Sequence, residues 1–201
     1  MSGFDTVSWE ANGDLSIEQT GREHLSVEAE PAVLAKIVTE VRDRCLHIRF
    51  GPGSVQTQLP IRFRVEVKSL SSLETRGAGS VRIGPLSAPA LSLRLSGSEE
   101  FRLVKLNAGA LDARLDGSGE ITISGGRVDT QHIVIAGSAR YDAVPMASRR
   151  ADVVIEGSGE MRLAVSERLD ARISGSGDVL YRGRPVVTRL VTGAGEIQPL
   201  P

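Results

Sequence analysis

The sequence predicts an all-β fold: a right-handed parallel β-helix, a single-stranded solenoid, with one short helix near the N-terminus. The first observation behind this is a spacing. Glycine-led motifs recur as GAGS at 77–80, GSEE at 97–100, GSGE at 117–120, GSAR at 137–140, GSGE at 157–160, GSGD at 175–178 and GAGE at 193–196. Their first glycines, Gly77, Gly97, Gly117, Gly137, Gly157, Gly175 and Gly193, lie 20, 20, 20, 20, 18 and 18 residues apart, a period that belongs to stacked repeats. The second observation is alternation on both sides of each motif. Leu91, Leu93 and Leu95 precede Gly97, and Ala151, Val153 and Ile155 precede Gly157; Phe101 with Leu103, and Met161 with Leu163, follow them. Polar residues such as Arg94, Asp112, Arg114, Thr122 and Arg162 fill the other parity, which is the period-two signature of strands. The third is composition. Hydrophobic residues make up 40% of the 201 residues but aromatic ones only 3%, so Val, Leu, Ile and Ala must build the core in thin, uniform layers.

A two-stranded unit of this size cannot bury its apolar face alone. Stacking units in register puts each aliphatic column under the next and yields one continuous core. Neighbouring coils would then lie about 4.8 Å apart. The segments NAGA at 107–110, GGRVDT at 125–130 and PMASRR at 145–150 form the return leg, where the shortening from 20 to 18 residues is expected. A left-handed hexapeptide helix would instead place an aliphatic residue every sixth position on three faces. One marked glycine per coil and long alternating strands favour the right-handed form.

Residues 1–76 are less regular and are expected to form the first coils or a cap, continuous with the regular coils of 77–201 in one domain. FDTVSWE, GDLSIEQ, HLSVEAE, CLHIRF and RFRVEVK read as strands, NGD at 12–14 as a turn, GPG at 51–53 as a loop and EPAVLAKIV as the short helix. Cys45, the only cysteine, sits in CLHIRF, where alternation predicts a half-buried strand position and a small hydrophobe.

The corners admit two readings, ligand loop or structural bend. A phosphate loop needs GxxxxGK[ST] between strand and helix, and no lysine follows these glycines. A calcium-binding β-roll needs a glycine–aspartate turn in every nine residues, whereas only Asp178 places an aspartate at a corner. The corners are therefore read as structural. Their first glycine supplies a positive φ, their second allows close backbone approach, and Ser98, Ser118, Ser138, Ser158 and Ser176 are expected to bond nearby backbone.

The fourth corner position forms a column of Ser80, Glu100, Glu120, Arg140, Glu160, Asp178 and Glu196. Stacked carboxylates repel by roughly 1 kcal/mol per adjacent pair in water. Arg140 interrupts the column and Arg102 and Arg162 flank it, so a solvated, self-compensating face is expected. Glu160, Asp178 and Glu196, the last three of the column with no cation among them, are the sole candidates for a divalent cation. Val134 and Val154 recur at one outward position of consecutive coils and are the candidate interface.

Other functions find little support. The formal charge of -1 gives no basic field for nucleic acid, and no run is long and apolar enough to span a membrane. No signal-peptide n- and h-regions precede Phe4. His24, His47 and His132 lack metal-ligand spacing, the serines have no partner histidine in the repeat, and the loops are too short to wall a catalytic groove. No catalytic residue, cofactor or metal is expected, and a non-enzymatic scaffold is favoured over a polysaccharide-binding or carbohydrate-active β-helix.

Three segments in order carry a resemblance: GDLSIEQTGREHLSVEAEPAVLAKIVTEVRDRCLHIRF, LPIRFRVEVKSLSSLETRGAGSVRI, and the serial GSGE and GSGD corners. Over nearly its whole length the chain resembles the bacterial auto-transporter adhesin "head GIN" domain family. The resemblance implies a right-handed β-helix, export to the cell envelope, and a protein or glycan partner at the cell surface, with self-association left open. It implies no site residues.

Overall fold

The computed structural model describes residues 1–200. Seven short strands and one helical turn come first: β1 (Thr6–Glu10), β2 (Gly13–Gln19), β3 (His24–Glu28), α1 (Pro31–Leu34), β4 (Ile37–Arg42), β5 (Cys45–Phe50), β6 (Arg62–Val67) and β7 (Ser72–Thr75). Long strands follow, with the short β10 among them: β8 (Gly79–Leu95), β9 (Glu100–Gly117), β10 (Glu120–Ile123), β11 (Gly126–Gly137), β12 (Arg140–Gly157) and β13 (Glu160–Gly175). The chain closes with β14 (Asp178–Arg182), β15 (Val186–Gly193) and β16 (Ile197–Pro199). All sixteen strands join one sheet that winds into a β-solenoid of about 6 turns.

The expected register holds throughout the repeat. Leu73, Leu93, Ala113, Ile133, Val153 and Ala171 stack as one inward column, and Val81, Phe101, Ile121, Tyr141, Met161 and Val179 as another. Every one of these residues is buried, and they belong to one cluster that runs the length of the solenoid. Each large aliphatic side chain so buried contributes about 1.5–3 kcal/mol, which is why a chain poor in aromatics still has a core. Two polar residues in the core are tied together. Tyr141 Oη donates to Gln131 Oε1 at 2.9 Å, Gln131 Nε2 donates to Ser148 Oγ at 2.8 Å, and Ser148 Oγ donates to the Ala164 carbonyl at 2.7 Å.

Several coils are more continuous than two short strands joined at a corner, while β10 and β11, and β14 and β15, remain separate. β9 and β12 run through 18 residues each, bending around the return leg without losing the ladder. The change of period is taken up on that leg, as expected. Ala143 to Ala147 of β12 faces only Leu163 to Ala164 of β13, and one residue is regained where Ser148 to Arg150 faces Val165 to Arg168.

The N-terminal part is threaded out of sequence order. β1 lies between β5 and β7, and β2 between β6 and β8, so the chain starts in the second coil and then builds the first. β4 and β3 then add antiparallel to β5 and β6 and cover that end of the ladder. The helix expected over 30–38 is a single turn, Pro31–Leu34, and Ile37–Arg42 is strand instead. The β-branched residues of IVTEVR pair better with β5 than they would coil on. At the far end, Arg189 occupies an inward position and donates to Tyr181 Oη at 3.2 Å. An inward cation is a device that blunts an open strand edge.

The corner glycines are required twice over. Gly137 has φ +132°, and a Cβ placed on it would lie 2.4 Å from the Gly117 carbonyl oxygen of the coil before. Gly157 repeats this against Gly137, with φ +137° and 2.4 Å. Gly97 departs from the expectation, because it is absent from the positive-φ positions, yet its Cβ would still meet the Gly77 carbonyl oxygen at 2.3 Å. The serines also act differently from the expectation. The amide of Ser138 donates to the Gly117 carbonyl and that of Ser158 to the Gly137 carbonyl, both at 2.9 Å, and Ala194 makes the same bond to Gly175. The backbone forms this ladder, so Ser and Ala are interchangeable in it.

Gly137→Ala is expected to destabilise the protein by about 2–4 kcal/mol in a denaturant titration, since both the φ and the coil spacing oppose a Cβ. Gly125→Ala, whose Cβ would meet nothing nearer than the Val104 carbonyl at 4.0 Å, is expected to change stability little.

Candidate functional site

The outward positions just before each corner lie on register-stacked strands and form a continuous, largely polar face. One column of this face reads Ser92, Asp112, His132, Asp152, Asp170 and Thr188. The adjacent column reads Arg94, Arg114, Val134, Val154, Arg172 and Leu190. Arg172 pairs across the columns with Asp152 at 3.0 Å, while Asp170 and Arg114 pair along their own strands with Arg168 at 2.6 Å and Asp116 at 2.9 Å. The Arg168 guanidinium, helped by Thr188, holds the Asp170 carboxyl below its usual range. His132 Nδ1 stands 3.6 Å from Asp152 Oδ2, with Asp112 on its other side in register.

Val134 and Val154 are in register and half-buried, as a pair flanked along the column by Arg114 and Arg172. They form a two-residue apolar step inside a charged face. Sequence reading had singled out the valines but passed over the Asp112–His132–Asp152–Asp170 column beside them. The same parity count that gave the inward columns would have revealed it.

The acidic corner column is engaged with its own neighbours. Arg140 Nη2 lies 2.6 Å from Glu160 Oε2, Arg162 lies 3.6 Å from Glu160 and 3.7 Å from Asp142, and Glu100 pairs with Arg102. Asp178 Oδ1 accepts the Glu196 amide at 2.9 Å. Of the three candidate cation ligands, Glu160 thus turns to arginines and Asp178 accepts a backbone amide. Among the described residues, no group of three or more His, Cys, Asp or Glu side chains is placed to hold a metal ion. His24, His47 and Cys45 lie on strands β3 and β5, with the Cys45 thiol half-buried and pushed up by that burial.

One acid escaped the sequence reading. Glu99 stands at the third corner position, where Gly79, Gly119, Ala139, Gly159, Gly177 and Gly195 stand in the other coils. Its side chain is turned inward and is 1% exposed. Thr75 and a corner amide approach the carboxylate, but no donor meets hydrogen-bond geometry, and the Thr75 hydroxyl is likewise without a partner. Burial therefore dominates and pushes the Glu99 carboxyl up. The signal was legible as the one corner, GSEE, with an acid in the small-residue slot.

These features define a class, a parallel β-solenoid with glycine-stacked corners, short turns and flat charged faces. The chain belongs to the family described as "Putative auto-transporter adhesin, head GIN domain", whose model matches residues 3–185. It is similar to a solved "putative adhesin" from Bacteroides fragilis at 19% identity and a TM-score of 0.93, covering 99% of this chain and 93% of that one. A "putative adhesin" from Parabacteroides merdae is 19% identical with a TM-score of 0.82, covering 100% and 93%. A "putative lipid binding protein" from Parabacteroides distasonis is 26% identical with a TM-score of 0.75, covering 100% and 94%. No curated protein matches the chain.

A buried acid with a raised pKa contributes its stability below the usual glutamate range, and that contribution is lost as pH rises through the raised value. Glu99→Gln is therefore expected to melt higher than the parent at pH 8, by about 2–4 °C for each ~1 kcal/mol relieved, and to match it near pH 4. A difference that stays constant across this range would contradict a Glu99 carboxyl pushed up by burial.

Proposed function

We propose that the chain is a non-enzymatic interaction scaffold of the bacterial cell envelope that presents a flat face to a surface protein or glycan. The observation that carries this reading is the register-stacked outward face around Val134 and Val154. Arg172 is held by Asp152, Asp170 by Arg168 and Arg114 by Asp116, and the turns are too short to wall off a substrate. A face of this kind gives shape and charge for docking: paired ions fix side-chain positions, and a small apolar step sits at the centre of a polar rim. The adhesin descriptions of the family and of its solved relatives support an extracytoplasmic, surface-contacting role.

A second reading, binding of a polysaccharide, is favoured by the Asp112, His132, Asp152 and Asp170 column with Arg168 and Arg172 beside it. Acids and arginines spaced one coil apart match the hydroxyl-rich edge of an extended glycan.

The test is retention of the protein by envelope fractions and on a glycan array, with Val134→Asp and Val154→Asp as variants. The scaffold reading expects the parent to be retained and each variant to lose at least roughly fivefold, as for removal of ~1 kcal/mol from an interface centre. Retention unchanged by both variants would place the contact elsewhere. Release of new reducing ends from an envelope polysaccharide would overturn the non-enzymatic reading.

A further inference from the structure

The face on the return leg carries a feature that the adhesin reading leaves unused. In one outward column, Arg127, Ala147, Ala164 and Arg182 follow one another in register. The two alanines leave a trough between the arginines, whose backbones stand three coil spacings, roughly 14 Å, apart. Arg149 and Arg184 complete the walls of this groove, and the buried Val165 lies beneath it. Arg149 is held by Glu167 at 2.8 Å, and Asp129 lies near it. Arg127, Arg182 and Arg184 are exposed and, among the described residues, have no ion-pair partner. Arg150 adds a further positive charge, 3.6 Å from Glu167, so cations outnumber acids around this groove on a chain whose formal charge is -1.

The neighbouring sequence strengthens the asymmetry. Between Asp178 and Glu196 the chain has Arg182, Arg184 and Arg189 and no acid. Two residues after Arg184 in the chain, Val186 is 73% exposed, the highest value among the large hydrophobics of the described residues. Exposed arginine beside exposed aliphatic side chain is the chemistry of a surface that meets anionic headgroups and the first methylenes behind them. An acidic polysaccharide would use the arginines but has no use for Val186 or the apolar floor. Guanidinium groups suit the phosphate in particular, because they donate two parallel hydrogen bonds to it.

We propose that the groove walled by Arg127, Arg182 and Arg184 on the Ala147 and Ala164 floor, together with the exposed Val186 that follows Arg184 in the chain, docks the protein on an anionic phospholipid surface. This rests on the reading of the chain as an envelope interaction module and supplies one class of partner for it.

The experiment is flotation of the full chain with vesicles of phosphatidylcholine alone and of phosphatidylcholine mixed with phosphatidylglycerol. Binding is expected to the mixed vesicles only, and to weaken as salt is raised. Arg127→Gln, Arg182→Gln and Arg184→Gln should each weaken it roughly fivefold and together roughly a hundredfold, while Arg102→Gln, outside the groove, leaves it unchanged. Val186→Ser should weaken it further. Equal melting curves would show that these exposed variants remain folded. No binding to mixed vesicles, equal binding to neutral ones, or a triple variant that binds like the parent would overturn the proposal. So would arginine-dependent binding of inorganic phosphate or alginate with vesicles left unbound. Because the vesicles carry no protein or glycan, their failure would leave the scaffold reading to its own retention assay.

Discussion

The contact on which the solenoid depends is the one between successive corners, where an amide donates to the glycine carbonyl of the coil before. Ser118, Ser138, Ser158, Ser176 and Ala194 all donate in this way. The bond draws the backbones so close that a Cβ on Gly117, Gly137, Gly157, Gly175 or Gly193 would lie 2.1–2.5 Å from the preceding carbonyl oxygen. Glycine at the corner and strands in register are thus one constraint seen from two sides. With the corner fixed, period-two alternation sends Leu, Ile and Val into the core on both flanking strands. Every outward column then follows without further choice.

That constraint also explains how the surface is organised. Outward residues one coil apart are forced into neighbourhood, so like charges must be interrupted or answered. Arg140 between Glu120 and Glu160 is one answer, and Arg172 on Asp152 is another. Individually, exposed pairs of this kind are worth little, but they hold long side chains in defined places on a flat face. The places where the pattern is not answered are informative. Arg127, Arg182 and Arg184 of the return-leg groove lack acids, and Glu99 lacks a donor in a slot built for glycine.

The repeated part of the fold was legible because its physics is local and periodic. Spacing of glycines gave the corners, parity gave the core, and Gln131 fell in an inward column where the structure finds it buried and bonded to Tyr141 and Ser148. The start of the chain was less legible because its order in space is not its order in sequence. Nothing local in FDTVSWE says that it pairs with both CLHIRF and SLET, yet β1 lies between β5 and β7. EPAVLAKIV looked helical by propensity, whereas pairing with β5 claimed its second half. On the surface, the valines were found by searching for apolar outliers. The acid–histidine column and the arginine groove needed the coils to be laid side by side, since their members are 17–20 residues apart in sequence.

Native-state amide hydrogen exchange tests most directly whether the corners are the stacked joints of the fold rather than loops available to a ligand. If they are joints, the amides of Ser118, Ser138, Ser158 and Ser176 should exchange only through global unfolding, as slowly as those of core residues such as Ile135 and Val153. Corner amides that exchange by local opening, orders of magnitude faster than the strands they join, would contradict the account.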